Sequence, residues 1–331
     1  MSQVCIRGVG CYLPDARLTN QELATRLGVT DDYIVKLTGI RERRRAAPEE
    51  ATSDMAVLAA QTALEDAGLD PEVIDGVLVA TATPDHVTPA TANLVQRRLG
   101  LRPVPTYDLN AGCTGSLYAL ITASSLIRAG VCRTFLVIGA EIVSRLVDPD
   151  DSETDLVFGD GAGALVVQAG SGQRGDLHLL SHLWGSDGTK ADMIMVPAGG
   201  SRCPASSETV EKRQHFLRMN GSSVFRFAVR MLPMLVQDVL AQAGRSLADL
   251  QLLIPHQANW RIIEAAARKL PFDLNKIVVN IDRYGNTSAA SVLLALGEAR
   301  QQGRLQPGAT VVLASFGAGL TWAAVALEVV A

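Results

Sequence analysis

Cysteine is scarce in this sequence. Among 331 residues there are five, Cys5, Cys11, Cys113, Cys132 and Cys203, with no Cys-x-x-Cys pair. An odd and scattered set argues against a disulfide framework and against a zinc site, so metal-free chemistry is expected. No uninterrupted apolar run reaches the ~18 residues that a membrane-spanning helix needs, and Met1 to Cys5 carries no basic segment leading into a long apolar run. A cytoplasmic protein without membrane insertion is the expectation. An excess of one charge is lacking too: 30 Lys and Arg against 34 Asp and Glu give a formal net charge of −4, spread along the chain apart from Arg41-Glu42-Arg43-Arg44-Arg45. Nothing in that pattern supports general affinity for nucleic acid. No segment is of low complexity, and no sequence repeat is visible.

What is present is length and alternation. The chain exceeds the usual ~100 to 200 residues per domain, so one large domain or two fused halves is expected. Strand patterns at 4–10, 77–81, 104–109 and 134–140 alternate with helix patterns at 20–27, 33–38, 53–67, 91–99 and 115–129. The second half continues with strands at 178–184, 252–255, 277–279, 310–315 and 322–329, and helices at 221–243, 260–270 and 287–301. Near-continuous apolar strands between helices predict an α/β layered fold, in two similar α/β halves covering 1–170 and 171–331. The irregular stretch Val196 to Thr209 reads as a surface excursion.

Phe158-Gly159-Asp160-Gly161-Ala162-Gly163 invites a nucleotide-loop reading. Its glycines lead into a strand, whereas a dinucleotide fingerprint needs them to open a helix whose N-terminus meets the phosphates. A tight turn with close backbone approach is the better account.

The candidate centre is Asn110-Ala111-Gly112-Cys113-Thr114-Gly115, where small neighbours leave a thiol uncovered at a strand-to-helix corner. A helix N-terminus lowers a cysteine pKa, which would make Cys113 a nucleophile; a buried cysteine filling a small gap is the alternative. Three later loops carry candidate partners: Pro255-His256-Gln257-Ala258-Asn259, Tyr284-Gly285-Asn286-Thr287-Ser288, and Phe316-Gly317-Ala318-Gly319. Singly, Asn286 reads equally as a helix cap, His256 as a satisfied loop histidine and the glycine turn as a connection.

Together these residues resemble a known family. Cys113 in Asn-Ala-Gly-Cys-Thr-Gly, His256 in Pro-His-Gln-Ala-Asn and Asn286 in Gly-Asn-Thr-Ser-Ala-Ala-Ser look like the Cys-His-Asn triad of β-ketoacyl-acyl carrier protein synthase III, in the thiolase superfamily. The similarity runs from Gly8-Val9-Gly10-Cys11-Tyr12-Leu13-Pro14 through Thr38-Gly39-Ile40-Arg41-Glu42-Arg43 to Thr321-Trp322, essentially the whole chain.

The resemblance implies a thiolase-like α-β-α-β-α fold and a homodimer with no bound cofactor, acting on acyl-coenzyme A or acyl-carrier-protein thioesters. It implies that Cys113 accepts the acyl group while backbone N–H groups of Cys113 and Ala318 hold the oxyanion. His256 and Asn286 would then stabilise the enolate formed when a malonyl thioester, on acyl carrier protein, loses carbon dioxide. Condensation gives a 3-oxoacyl product. Acyl transfer to an oxygen or nitrogen nucleophile, in a specialised-metabolite pathway, is the alternative. By the same resemblance Tyr33 stacks on a nucleotide base, while Leu37 and Ser152 stand where the family's best-known members have phosphate-binding arginines. Phe225, Ala258 and Asn259 would line the pantetheine arm, with Phe316 among the substrate contacts. Thr88 would close the far end of the acyl pocket across the dimer. Arg226, Arg261, Arg268 and Lys269 would face the acidic carrier protein.

Overall fold

The computed structural model describes residues 3–331. Nine strands form the main sheet: β1 Val4–Tyr12, β2 Gly76–Ala80, β3 Thr106–Leu109, β4 Thr134–Ile142, β5 Asp160–Ala169, β6 Leu177–Ser186, β7 Leu250–Pro255, β8 Thr310–Gly317 and β9 Thr321–Val329. Their spatial order is β7-β8-β9-β6-β1-β5-β4-β2-β3. The seam is thin, since β1 and β6 pair only through Cys5 with His178 and Ile6 with Leu177.

Outward from that seam the two wings repeat one pattern. On one side β1 to β5 and β5 to β4 are antiparallel, and β4 to β2 and β2 to β3 are parallel. On the other, β6 to β9 and β9 to β8 are antiparallel and β8 to β7 is parallel. A lone parallel bridge from Leu253 to Ile277 stands where a fifth strand would lie. The strand expected at 277–279 is reduced to that bridge, with Val278 N donating to Leu253 O at 2.9 Å, and beyond it the Gln257 side chain takes the next backbone groups. Its Nε2 donates to Val278 O at 3.0 Å, and its Oε1 accepts from Asn280 N at 3.0 Å.

Six helices complete five layers: α1 Thr52–Ala67, α2 Thr91–Arg98, α3 Gly115–Arg128, α4 Gly221–Gln242, α5 Trp260–Ala267 and α6 Ser291–Gln301. Leu117, Leu120 and Ile121 of α3 and Val292, Leu293 and Leu296 of α6 are buried between the wings, against Leu78, Val137, Leu165, Leu252, Leu313 and Val325. The apolar faces of α1 and α2 cover the other side of the first wing, and those of α4 and α5 cover the second. Burying strands on both faces is what their near-continuous apolar runs demand. The result is the expected α-β-α-β-α arrangement.

The basic run is used inside the fold. Arg43 is fully buried and donates to Asn20 Oδ1 at 2.8 Å and Leu156 O at 2.7 Å, and Arg45 pairs with Asp155 at 2.9 Å. The stretch read as an excursion, Val196 to Thr209, is flanked by a two-residue strand pair, Ile194–Met195 with Arg218–Met219, and ends in a short helix, Ser207–Glu211, capped by Ser206. Among the described residues, no helix is long and apolar enough to cross a membrane.

Candidate active site

The C-terminal ends of β3, β4, β7 and β8 converge on one cavity of ≈ 1040 Å³, lined by Cys113, His256 and Asn286 together. Strand ends that feed helices across a layered sheet are where such folds build sites. Cys113 lies in a single 3-10 turn, Gly112–Thr114, between β3 and α3. Its surface is partly open to the cavity. Gly317, at the end of β8, lets the opposite wing come close: a Cβ there would meet Cys113 N at 2.8 Å and Cys113 Cβ at 2.9 Å. Gly112, at φ +54°, sits against Ala318 in the same way. Ser315 Oγ donates to Cys113 O at 2.8 Å and fixes the contact. Among the described residues no backbone carbonyl takes the N–H of Cys113 or of Ala318.

The expected lowering of the thiol pKa is corrected. Burial pushes Cys113 up to about 11; a hydrogen bond from Ser288 offsets part of the rise, and the Glu141 carboxylate adds to it. The physical reason is burial: taking the sulfur out of water disfavours the charged thiolate by more than its hydrogen bonds restore.

His256 follows β7 and is 1% exposed. Burial pushes its imidazole down to about 3, so it is neutral at ordinary pH. Its Nδ1 is sealed without a hydrogen-bond partner, which leaves Nε2 as the ring nitrogen open to the cavity. Phe316 meets the ring edge-on, with centroids 5.6 Å apart. Asn286 is anchored by its own backbone, N to Val157 O at 2.9 Å and O from Gly159 N at 3.0 Å. Its Oδ1 accepts the N–H of Ser288 at 2.9 Å, the local cap anticipated as the plainer role, and its Nδ2 is left for the cavity. A 3-10 turn, Ser288–Ala290, replaces the first turn of the helix expected at 287–301.

Tyr33, Leu37, Ser152, Phe225, Ala258, Asn259 and Phe316 all line the cavity. Tyr33 is half exposed at the mouth, and Asn259 Nδ2 donates to Leu37 O at 3.1 Å, closing one rim. Thr88 is exposed and does not line the cavity of its own chain. Arg226 and Arg261 line the mouth. Arg268 and Lys269 are exposed outside it, and Arg268 is paired with Glu264 at 3.0 Å.

Three residues escaped the sequence reading. Gln257 is buried and ties the His256 loop to the turn at 278–281 through three hydrogen bonds, while its Nε2 also donates to Pro255 O within the loop. Glu141, fully buried in the apolar strand β4, accepts from Thr83 Oγ1 at 2.7 Å, Ala82 N at 3.1 Å and Ser288 Oγ at 3.1 Å. Its burial pushes it up to about 7. A lone carboxylate in a near-continuous apolar strand was the available signal. Ser288 holds φ +49°, a left-handed conformation costly for serine and held here by Asn286 and Glu141.

Two family models match the chain, 3-oxoacyl-(acyl-carrier-protein) synthase III over residues 107–188 and its C-terminal counterpart over residues 240–329. A β-ketoacyl-(acyl-carrier-protein) synthase III of Desulfitobacterium hafniense is 47% identical over 328 residues, 99% of this chain and 98% of that protein. One from Symbiobacterium thermophilum is 47% identical over 325 residues, 98% of each. The crystal structure of the Pseudomonas aeruginosa 3-oxoacyl-(acyl carrier protein) synthase III superposes with a TM-score of 0.91 at 41% identity, covering 99% of both chains.

Proposed function

We infer the function from one premise: the chain belongs to the 3-oxoacyl-(acyl-carrier-protein) synthase III family. It is proposed to load an acyl group from a thioester onto Cys113 and to condense it, with loss of carbon dioxide, with a malonyl thioester on acyl carrier protein. A 3-oxoacyl thioester is the product. The observation that carries this reading is the single cavity in which the Cys113 thiol faces two neutral donors, His256 and Asn286.

In the loading step the Cys113 sulfur attacks the thioester carbonyl and the donor thiolate leaves. The N–H groups of Cys113 and Ala318, which no backbone carbonyl takes among the described residues, support their assignment as the oxyanion donors. In the second step the bond from the malonyl α-carbon to its carboxylate breaks, and the electron pair becomes an enolate. Negative charge then grows on the thioester oxygen, where the His256 imidazole and the Asn286 Nδ2–H₂ would donate. A histidine held at about 3 is suited to this, since it stays neutral and acts by hydrogen bonding. The enolate carbon attacks the acyl-Cys113 carbonyl, and the sulfur leaves.

Tyr33, Phe225, Ala258, Asn259 and Phe316 are proposed as contacts of the thioester arm, which their shared cavity supports. Arg226, Arg261, Arg268 and Lys269 are proposed to meet the carrier protein. The intramolecular pairing of Arg268 makes the two mouth residues the stronger members. Thr88 is proposed to act across a homodimer, consistent with its exposure here. A cytoplasmic setting and a division into halves at 170/171 belong to the same proposal; the repeated strand pattern supports the division. Intact-mass measurement after incubation with acyl-coenzyme A and acyl-carrier-protein donors tests the loading step. An adduct on the wild type that Cys113→Ala lacks is expected, and its absence with every donor would overturn the reading.

A further inference from the structure

We propose that Glu141, acting through the Ser288 hydroxyl, takes the Cys113 thiol proton when the acyl group is loaded and returns it when the product leaves. The inference rests on the proposed function and adds the proton path it requires. Ser288 stands beside both groups. Its Oγ donates to Glu141 Oε1 at 3.1 Å, all three residues line the same cavity, and Ser288 offsets part of the rise that burial imposes on the Cys113 thiol. Glu141 is fully buried, and the groups that face it are neutral: the Thr81 and Thr83 hydroxyls, the Ala82 and Ala289 N–H groups and Ser288, with the Cys113 thiol beyond that hydroxyl. A buried carboxyl with no cation against it is held near the pH at which it can both accept and release a proton. His256 cannot do this work, since burial holds its imidazole far below neutral pH.

The step balances. As the sulfur–carbon bond forms, the S–H bond breaks and its proton passes to Ser288 Oγ, while the Ser288 proton passes to Glu141. The donor thiolate leaves and takes a proton from solvent. When the condensation product departs, the carbon–sulfur bond breaks with its electron pair to sulfur, and Glu141 returns the proton through Ser288. Each turnover consumes one solvent proton, as conversion of a malonyl carboxylate to carbon dioxide requires. Ser288 is the catalytic residue of the pair, and Glu141 acts through it.

The test is single-turnover loading of Cys113 from hexanoyl-N-acetylcysteamine, followed by intact mass across pH 5.5 to 9. Wild type, Glu141→Gln, Ser288→Ala and the double variant are compared, with iodoacetamide alkylation of Cys113 as a second readout. The wild-type loading rate should rise through a midpoint near 7. Each single variant should lose that midpoint and load ~100-fold more slowly, the double variant no worse. Because the Glu141 carboxylate raises the thiol pKa, Glu141→Gln should be alkylated faster than wild type while it is acylated more slowly. A merely structural carboxylate would move both rates in the same direction. Should Glu141→Gln prove unstable, Ser288→Ala decides. Loading by the folded variants within about 3-fold of wild type, with the midpoint kept, would overturn the relay alone. A wild type that forms no Cys113 adduct overturns the proposed function and the relay with it.

Discussion

Asn286 Oδ1 accepts the backbone N–H of Ser288 at 2.9 Å, and this bond decides which end of the amide faces the cavity. The donor end is presented to the substrate. Asn286→Asp keeps the acceptor toward Ser288 and replaces the donor with a second acceptor. Malonyl thioester decarboxylation, followed by carbon dioxide release, should fall by about 100-fold, the loss typical of one oxyanion donor. Cys113 acylation should persist within a few-fold. Equal loss of both steps would contradict the division of labour.

The neutral His256 makes a claim about pH. Burial holds it at about 3 against an ordinary value of 6.5, so between these values the unfolded chain binds the additional proton. The contribution of His256 to stability is therefore complete above 6.5 and is lost as pH falls toward 3. The difference in Tm between His256→Leu and wild type should shift in favour of the variant on going from pH 7.5 to pH 5. A difference independent of pH would mean the imidazole is not held neutral by burial.

Gly317 is a purely geometric test. An added Cβ would lie 2.8 Å from Cys113 N and 2.9 Å from Cys113 Cβ, and backbone cannot swing aside as a long side chain can. Gly317→Ala should push the nucleophile turn out of line, cutting Cys113 acylation at least 10-fold in a protein that still folds. Acylation kinetics beside a thermal melt measure both.

Gln257 holds the His256 loop to the turn at 278–281 and does not line the cavity. Replacing it by leucine strands the Val278 and Pro255 carbonyls and the Asn280 and Ile281 N–H groups in a buried site. At ~1 to 3 kcal/mol for each buried group left without a partner, Gln257→Leu should lower stability by at least about 3 kcal/mol in a denaturant titration.

The layered fold was legible because its strands are apolar on both faces, as in Thr134–Ile142, and its helices carry regular apolar spacing, as in Gly115–Arg128. Cys113 was legible because small neighbours flank it at a strand-to-helix corner, while His256 in Pro-His-Gln-Ala-Asn and Asn286 in Gly-Asn-Thr-Ser became legible through their resemblance to the family's motifs. Long-range pairings were not. Gln257 looks like any polar loop residue until its partners 21 and 23 positions away come into place. Glu141 reads as one charge in a strand until Ser288, 147 residues on, meets it. The thiol pKa was misjudged for the same reason: local sequence shows the corner at α3, while burial and Glu141 come from the far wall. The strand at 277–279 shrinks to a single bridge, Leu253 to Ile277, beside a side-chain contact from Gln257 to Val278 O that periodicity does not show.

The central claim is decarboxylative condensation on Cys113. The most direct measurement supplies acyl-loaded protein with malonyl-carrier protein and follows carbon dioxide release and the mass of the carrier-bound product. The account predicts stoichiometric carbon dioxide and a 3-oxoacyl-carrier protein, both absent in Cys113→Ala. Transfer of the intact acyl group to an oxygen or nitrogen nucleophile, with no carbon dioxide and no 3-oxoacyl product, would contradict it.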